Sequence, residues 1–514
     1  MKIKYWYTIS LAWTSAFGFV IVGLCFSYFN SLTKILHKQY KHEDKYVIGN
    51  HDIFNSVVSV IIPLAAILGS ILANPLASKG RRFAMIVIAT AGIIGSCITM
   101  IFDMTALLAG RFILGLCVGA YTTVSPLYMS EFAPRSISGS LGAITQFGAV
   151  SGIFIGNASG LLIPLENDSD ALTSRTWRIV FILPAIICFI QLVLFIFVFR
   201  YDTPKFYKIK KDQINYLKMM RCIYVYEDEE PNEEVQETER RFSQPDEENS
   251  QKENDSENQV NAEMGPINNE NENEVMENGT MQELQISKSK PDEDRKDNDE
   301  VEAKNISKTP AHYKKAFTLG LLLSLFHQLT GINGVIFFSN EMFTDGEEGN
   351  DAERTARYGS LGLGAFSLLG STLSIFALKY FGRVTNLNIN QAVMGTWTLG
   401  LGIFAILEVQ IVIIAFVLIF VTSFNVGIGT VMWIYTAEIL DSRGWAFVGF
   451  VNMVAVWFFA GLTNILLKAM TAPGFYFSLT VIQVISIIFI SVWLKETKGK
   501  SKEECEKLYM KKEE

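Results

Sequence analysis

Twelve apolar runs constrain this chain more than any other feature. They lie roughly at 7–31, 53–78, 83–102, 105–128, 139–165, 176–199, 313–342, 357–380, 389–408, 410–437, 446–469 and 474–494. About 20 apolar residues in a helix cross the ~30 Å of bilayer hydrocarbon. The expected fold class is therefore an all-α membrane protein with twelve transmembrane helices. Lys2 and Lys4 precede the first run, as in a secretory signal, but no small-residue cleavage site follows, and it reads as a retained span.

The formal net charge of −8 is unevenly spread. Residues 227–302 carry 27 acidic and 7 basic side chains, a net of −20 that leaves +12 on the remainder. The basic residues cluster after the second and sixth runs, before the seventh and after the twelfth. By the positive-inside tendency those segments are cytosolic, which puts both termini inside; four lysines between residues 30 and 51 oppose this. Asn167-Asp-Ser169 then lies in an outward loop and fits a glycosylation acceptor. The six cysteines show no CxxC spacing, so neither a disulfide frame nor a metal site is indicated.

Six spans, a polar insert and six more spans give an expected division into 1–211, 212–311, 312–495 and a tail, 496–514. The insert is rich in Glu, Asn and Ser, and too polar to bury a core of its own. It reads as a solvated tether whose ends form short helices, or as a docking segment for a cytosolic partner. An internal repeat supports two related halves. Gly80-Arg81-Arg82 follows the second span and Gly382-Arg383-Val384 the eighth. Glu131 and Glu438 end the fourth and tenth spans; Asp202 and Glu496 follow the sixth and twelfth. With Arg111, these charges form an expected cytosolic network of Arg81, Arg111, Glu131, Asp202, Arg383, Glu438 and Glu496. Pairing across the halves would close that side. The alternative is that they are only topology-setting charges. In the fourth span Gly115 and Gly119 stand four apart, a spacing that lets helix backbones approach closely.

Polar residues inside an apolar run mark a functional site by default. His327-Gln-Leu-Thr-Gly-Ile-Asn333 interrupts the seventh run. On a helix Ser324, His327, Gln328 and Gly331 share one stripe. Asn333 is about 140° around from Gln328 at ~100° per residue, and joins that stripe only if the helix breaks near Gly331. Amides donate and accept, as sugar hydroxyls do. Gln146 stands alone in the fifth span, where a helix–helix hydrogen bond is the plainer reading. Trp433 in the tenth span suits either packing or the C–H face of a sugar ring.

These residues resemble the sugar porter family of the major facilitator superfamily, especially its facilitative hexose transporters. Gly110-Arg-Phe-Ile-Leu-Gly-Leu-Cys-Val-Gly119 followed by Pro126-Leu-Tyr-Met-Ser-Glu131-Phe-Ala-Pro134 looks like the family's fourth-span signature. Asp202-Thr-Pro-Lys-Phe206 is similar to its PESPRF segment, His327 to Asn333 to QQLSGIN, and Lys495-Glu-Thr-Lys-Gly499 to PETKG. The resemblance implies two six-helix bundles rocking around a central hexose site, with sugar contacts from Gln146, His327, Gln328, Asn333 and Trp433. It places Phe337 and Phe338 at an outer gate and Ser367 where an Asn often binds sugar. Departures are His327 for the first Gln, whose protonation would make transport pH-sensitive, and Val20 where proton-coupled members carry an acid. Beyond Glu438 the register stays open.

The leading expectation is facilitated diffusion of a hexose, D-glucose foremost, without proton coupling. It entails no enzymatic activity, cofactor or nucleic-acid partner, and places a monomer in the plasma membrane among lipid. A proton-coupled or polyol porter and a non-transporting sugar sensor remain as alternatives.

Overall fold

The computed structural model describes residues 2–132, 138–225, 311–336, 343, 349–407, 409–500, 504–505 and 508–509. The described residues belong to one compact unit. Its first half holds α1 (Tyr5–Ser27), α2 (Thr33–His42), α3 (His51–Ser78), α4 (Arg81–Thr99), α5 (Met104–Phe132), α6 (Ser138–Ser159) and α7 (Trp177–Val193). A π-helical turn, Leu194–Val198, extends α7. Two short helices follow, α8 (Pro204–Lys210) and α9 (Gln213–Ile223). The second half holds α10 (Ala311–Leu329), α11 (Asn350–Tyr380), α12 (Arg383–Ile406), α13 (Gln410–Val426), α14 (Ile428–Ile439) and α15 (Ser442–Trp493). The break at Thr471, with φ of 61° and Pro473 close behind, divides α15 into the eleventh and twelfth spans.

Ten of the described helices are long and apolar enough to cross a membrane. The fifth and eleventh spans are α6 and the first part of α15, which includes the apolar stretch Gly444–Phe459. The chain is thus a multi-pass membrane protein of two six-helix bundles. Its exposed residues include Leu68, Ile71 and Leu72 on α3 and Val481, Ile485 and Ile488 on α15, as expected of faces in contact with lipid. One small pairing accompanies the helices: β1 (Lys2–Ile3) runs antiparallel to β2 (Tyr224–Val225). Regular structure therefore continues to Val225, into the stretch that composition set apart as the insert.

Lipid tails are as apolar as leucine, so helix association in a bilayer depends on close packing. The glycines supply it. A Cβ on Gly119 of α5 would overlap the Ala66 carbonyl of α3, and one on Gly152 of α6 would overlap the Val20 carbonyl of α1. Each half has its own apolar core. Met453 and Val456 of α15 join the first core, and Ile153 of α6 joins the second. The halves thus meet through α3 against α15 and α6 against α11.

Two spans are interrupted. The seventh stops at Leu329 and resumes over 332–336, with Gly331 at φ of +84°. The tenth breaks at Gly427 between α13 and α14. A broken helix in hydrocarbon needs partners for the carbonyls it frees. Thr330 Oγ1 donates to His327 O at 2.8 Å, Thr430 Oγ1 to Asn425 O at 2.7 Å and Asn386 Nδ2 to Val426 O at 3.1 Å.

Gly119→Ala is expected to lower the thermal midpoint in detergent, because overpacking costs about 1–3 kcal/mol. Gly362→Ala is the control: its Cβ would lie 3.5 Å from Leu418, an ordinary contact. Equal midpoints for the two variants would mean that α3 and α5 are not held this closely.

Candidate functional site

The broken seventh span gathers five polar side chains, four of its own and one from α15. Gln328 Nε2 donates to Asn452 Oδ1 of α15 at 3.0 Å and lies 3.1 Å from His327 Nδ1. Asn333 Nδ2, brought round by the Gly331 turn, donates to Gln328 Oε1. Asn452 Nδ2 completes the chain by donating to Ser324 Oγ at 3.2 Å. Ser324, His327, Gln328 and Asn452 are all buried. The His327 ring lies 5.1 Å from Phe424 and 6.3 Å from Trp433, and Trp433 lies 5.9 Å from Trp445.

A second amide pair reaches across the halves. Gln146 Nε2 of α6 donates to Asn425 Oδ1 of α13 at 3.0 Å. The helix–helix hydrogen bond weighed for Gln146 is therefore present, and it joins opposite bundles. Ser367 is buried and donates to Leu363 O of its own helix at 2.8 Å. Phe337 and Phe338 lie outside the described residues. Asn425, Asn452 and Trp445 were missed from the sequence. The two asparagines carried the same signal as Gln146, an amide within an apolar run. Their helical register was the missing part.

The charged residues form two matching clusters. In the first half Arg81 Nη2 pairs with Glu131 Oε1 at 2.8 Å, and Thr203 Oγ1 donates to Glu131 Oε2 at 2.6 Å. In the second half Arg383 Nη2 pairs with Glu438 Oε1 at 2.9 Å, and Thr497 Oγ1 donates to Glu438 Oε2 at 2.6 Å. Asp202 accepts the backbone N–H groups of Arg81 at 3.2 Å and Arg82 at 3.0 Å. Glu496 accepts those of Arg383 at 2.7 Å and Val384 at 3.0 Å. Each carboxylate thus caps the first turn of a helix, where free N–H groups and the positive dipole end favour an anion.

Two expectations are corrected here. The pairs among Arg81, Glu131, Asp202, Arg383, Glu438 and Glu496 lie within each half instead of across the halves, because the turn after each even span sets arginine and acid within reach in one bundle. Arg111 belongs to neither cluster. It is buried, with Nε donating to Val58 O at 2.9 Å and its guanidinium 4.3 Å from the Phe29 ring centre. Twenty residues of α5 separate it from Glu131, about 30 Å of helix at ~1.5 Å per residue.

The two capping carboxylates differ in their surroundings. Burial raises the Asp202 pKa, and the N–H groups of Thr203 and Arg82 and the Arg81 charge only partly offset it. Burial also acts on Glu496, but the N–H groups of Lys498, Arg383, Val384 and Thr497 outweigh it and hold its pKa down.

A family described as sugar (and other) transporter matches residues 11–264 and 267–509. Hexose transporter 1 of Toxoplasma gondii is 26% identical over 88% of this chain and 73% of its own length. Glucose transporter GlcP of Staphylococcus epidermidis is 26% identical, over 88% of this chain and 87% of its own. The sheep facilitated glucose transporter member 3 is 23% identical over 84% and 76%. Among solved structures, the proton:xylose symporter XylE bound to 6-bromo-6-deoxy-D-glucose superposes with a TM-score of 0.69 at 19% identity, covering 98% of this chain and 99% of that one.

Gln328→Ala and Asn452→Ala are each expected to destabilise by about 1–3 kcal/mol, since each leaves a buried amide short of a partner. The double variant should cost less than the two together, because they share one bond. Strict additivity in thermal unfolding would mean that the bond is not formed.

The capping carboxylates should respond oppositely to acid. The Glu496 pKa is lowered, so its contribution is present above its unfolded value of about 4.3 and lost as pH falls through the folded value. The Asp202 pKa is raised, so its contribution is present below about 3.9 and lost as pH rises through the folded value. The midpoint deficit of Glu496→Gln should stay level from pH 7 to about pH 5 and shrink as pH falls below about 4.3, whereas Asp202→Asn should fare worse against the native chain as pH falls from 7 towards about 3.9. Parallel pH profiles for both variants would overturn the difference.

Proposed function

This chain belongs to the sugar (and other) transporter family, and from that premise we propose that it carries a hexose, with D-glucose foremost, by facilitated diffusion without proton coupling. The observation that carries the reading is the amide network of Gln328, Asn333 and Asn452, with Gln146 and Asn425 bridging the halves. These groups are neutral and both donate and accept, which suits a ligand covered in hydroxyls better than an ion. The names of the relatives from Toxoplasma gondii, Staphylococcus epidermidis and sheep point the same way.

In this reading the sugar exchanges water for Gln146, His327, Gln328 and Asn333, and the Trp433 ring lies against its C–H face. Ser367 and the aromatic pair Phe337 and Phe338 complete the site and its outer gate. The two charge clusters each hold one bundle rigid, so that the bundles rock as bodies and expose the site to one side at a time. Val20 supports passive transport, since its side chain holds no proton. His327 is the one observation favouring a proton-coupled porter. The Lys- and Arg-rich segments support cytosolic termini, a plasma-membrane location is the default, and the acidic insert is a candidate contact for a cytosolic partner.

Proteoliposomes loaded with the purified chain should take up labelled D-glucose saturably until inside and outside concentrations are equal, whether or not a proton gradient is imposed. Accumulation driven by the gradient would replace the facilitator with a proton-coupled porter. Gln328→Ala should raise the half-saturation concentration roughly two- to tenfold, the worth of about 0.5–1.5 kcal/mol for one neutral hydrogen bond. An unchanged value in a folded variant would remove Gln328 from the site.

A further inference from the structure

Arg357 binds the opposite half of the molecule at the end away from the charge clusters. It lies near the start of α11 and is only 4% exposed. Its Nη1 donates to Gly160 O at 3.1 Å and to Ile163 O. Its Nη2 donates to Pro164 O at 2.9 Å and pairs with Glu353 one helical turn back. The other Glu353 oxygen accepts the Glu166 N–H at 2.8 Å. Gly160 to Glu166 follow the end of α6, which closes with a single 3-10 turn, Gly160–Leu162.

A helix end leaves its last carbonyls without intrahelical donors and carries the negative end of the dipole. A planar guanidinium with five fixed donors is suited to bridge several such oxygens, whereas an ammonium is a point charge. Other bonds cross between the halves at the same end. Asn157 Nδ2 donates to Ser360 O at 2.6 Å, Asn350 Nδ2 to Asp168 Oδ1 at 3.3 Å and Asn30 Nδ2 to Ile336 O. At the clustered end the Arg81–Glu131 and Arg383–Glu438 pairs each stay within one half. This structure is therefore fastened at the Arg357 end.

We propose that Arg357 is the latch of this mouth, a positioning residue for transport that closes the pathway by gripping the carbonyls of the turn that follows α6 and releases them when the bundles rock. The role rests on the rocking of the two halves proposed above. Opening strips the guanidinium from three carbonyls, so the strength of this grip sets the balance between the two access states. A change that weakens only one state shifts that balance by the lost difference. Glu353 orients the latch by holding both Arg357 and the Glu166 N–H.

The test uses Ile153→Cys as a reporter. Ile153 lies six residues before the end of α6, is 8% exposed and packs on the core of the other half, so the latched mouth covers it. The full chain in proteoliposomes is treated with a membrane-impermeant maleimide, and labelling is read over that of the same chain without the introduced cysteine. Arg357→Ala should raise labelling about tenfold or more. Arg357→Lys should behave nearly like Ala, and Glu353→Gln should shift labelling the same way by less. D-glucose influx and efflux are measured in parallel, and the half-saturation values on the two sides should move in opposite directions. A merely structural defect lowers the maximal rate without that split.

Labelling unchanged in folded Arg357→Ala and Glu353→Gln would overturn the latch, even with transport intact. Labelling that rises in the variants while the native chain moves no glucose would uphold the latch and overturn the hexose reading. If Arg357→Ala does not fold, Arg357→Lys and Glu353→Gln decide the outcome by the same readout.

Discussion

Hydrocarbon offers a polar group no partner except one the protein supplies, and this constraint governs the whole molecule. It makes the spans helical, since a helix satisfies its own backbone. It also limits where a helix stops short. The seventh and tenth spans break at Gly331 and Gly427, and side chains of Thr330, Thr430 and Asn386 take up carbonyls beside those breaks. The same pressure draws Gln328 to Asn452, Asn333 and His327. A polar site in a membrane is therefore built as a network, and its members hold one another in place before any ligand arrives.

Duplication gives the second level of order. The two halves repeat one device, in which an arginine at a helix start pairs with the glutamate ending another helix while a further carboxylate caps that start. The device ties three helix ends together within a bundle. Glycine contacts such as Gly119 on Ala66 bring the helix walls close enough for this to hold. Rigid bundles are what a rocking mechanism needs, because motion is then confined to the surface between them. The repeat is not perfect: Asp202 is more enclosed than Glu496, and their pKa values move in opposite directions.

In the proposed function the surface between the bundles is the working part. Gln146 and Asn425 meet across it near the amide network, and Arg357 fastens it at the end away from the clusters. The proposed site and the fastening share helices: α6 carries Gln146 and leads directly into the turn whose carbonyls Arg357 holds, and α11 carries Arg357. In the proposed mechanism, movement at the mouth would be coupled to the proposed site through these helices.

Much of this was legible in the sequence. Apolar length determined the spans, because bilayer thickness is fixed. Helical periodicity determined the stripe of Ser324, His327, Gln328 and Gly331, and glycine at position 331 marked the turn that brings Asn333 to it. The recurrence of arginine and acid at matching helix ends announced two related halves. What the sequence could not determine is which helix faces which. Asn452 and Asn425 became partners of Gln328 and Gln146 only through packing between distant segments. The cluster charges paired within their halves because folding placed those helix ends side by side, and Arg111 lay far from them because α5 is long. Arg357 read as one more charge at a helix start. Only tertiary structure set it against the carbonyls that follow α6, since periodicity is a property of one helix and contact is a property of two segments.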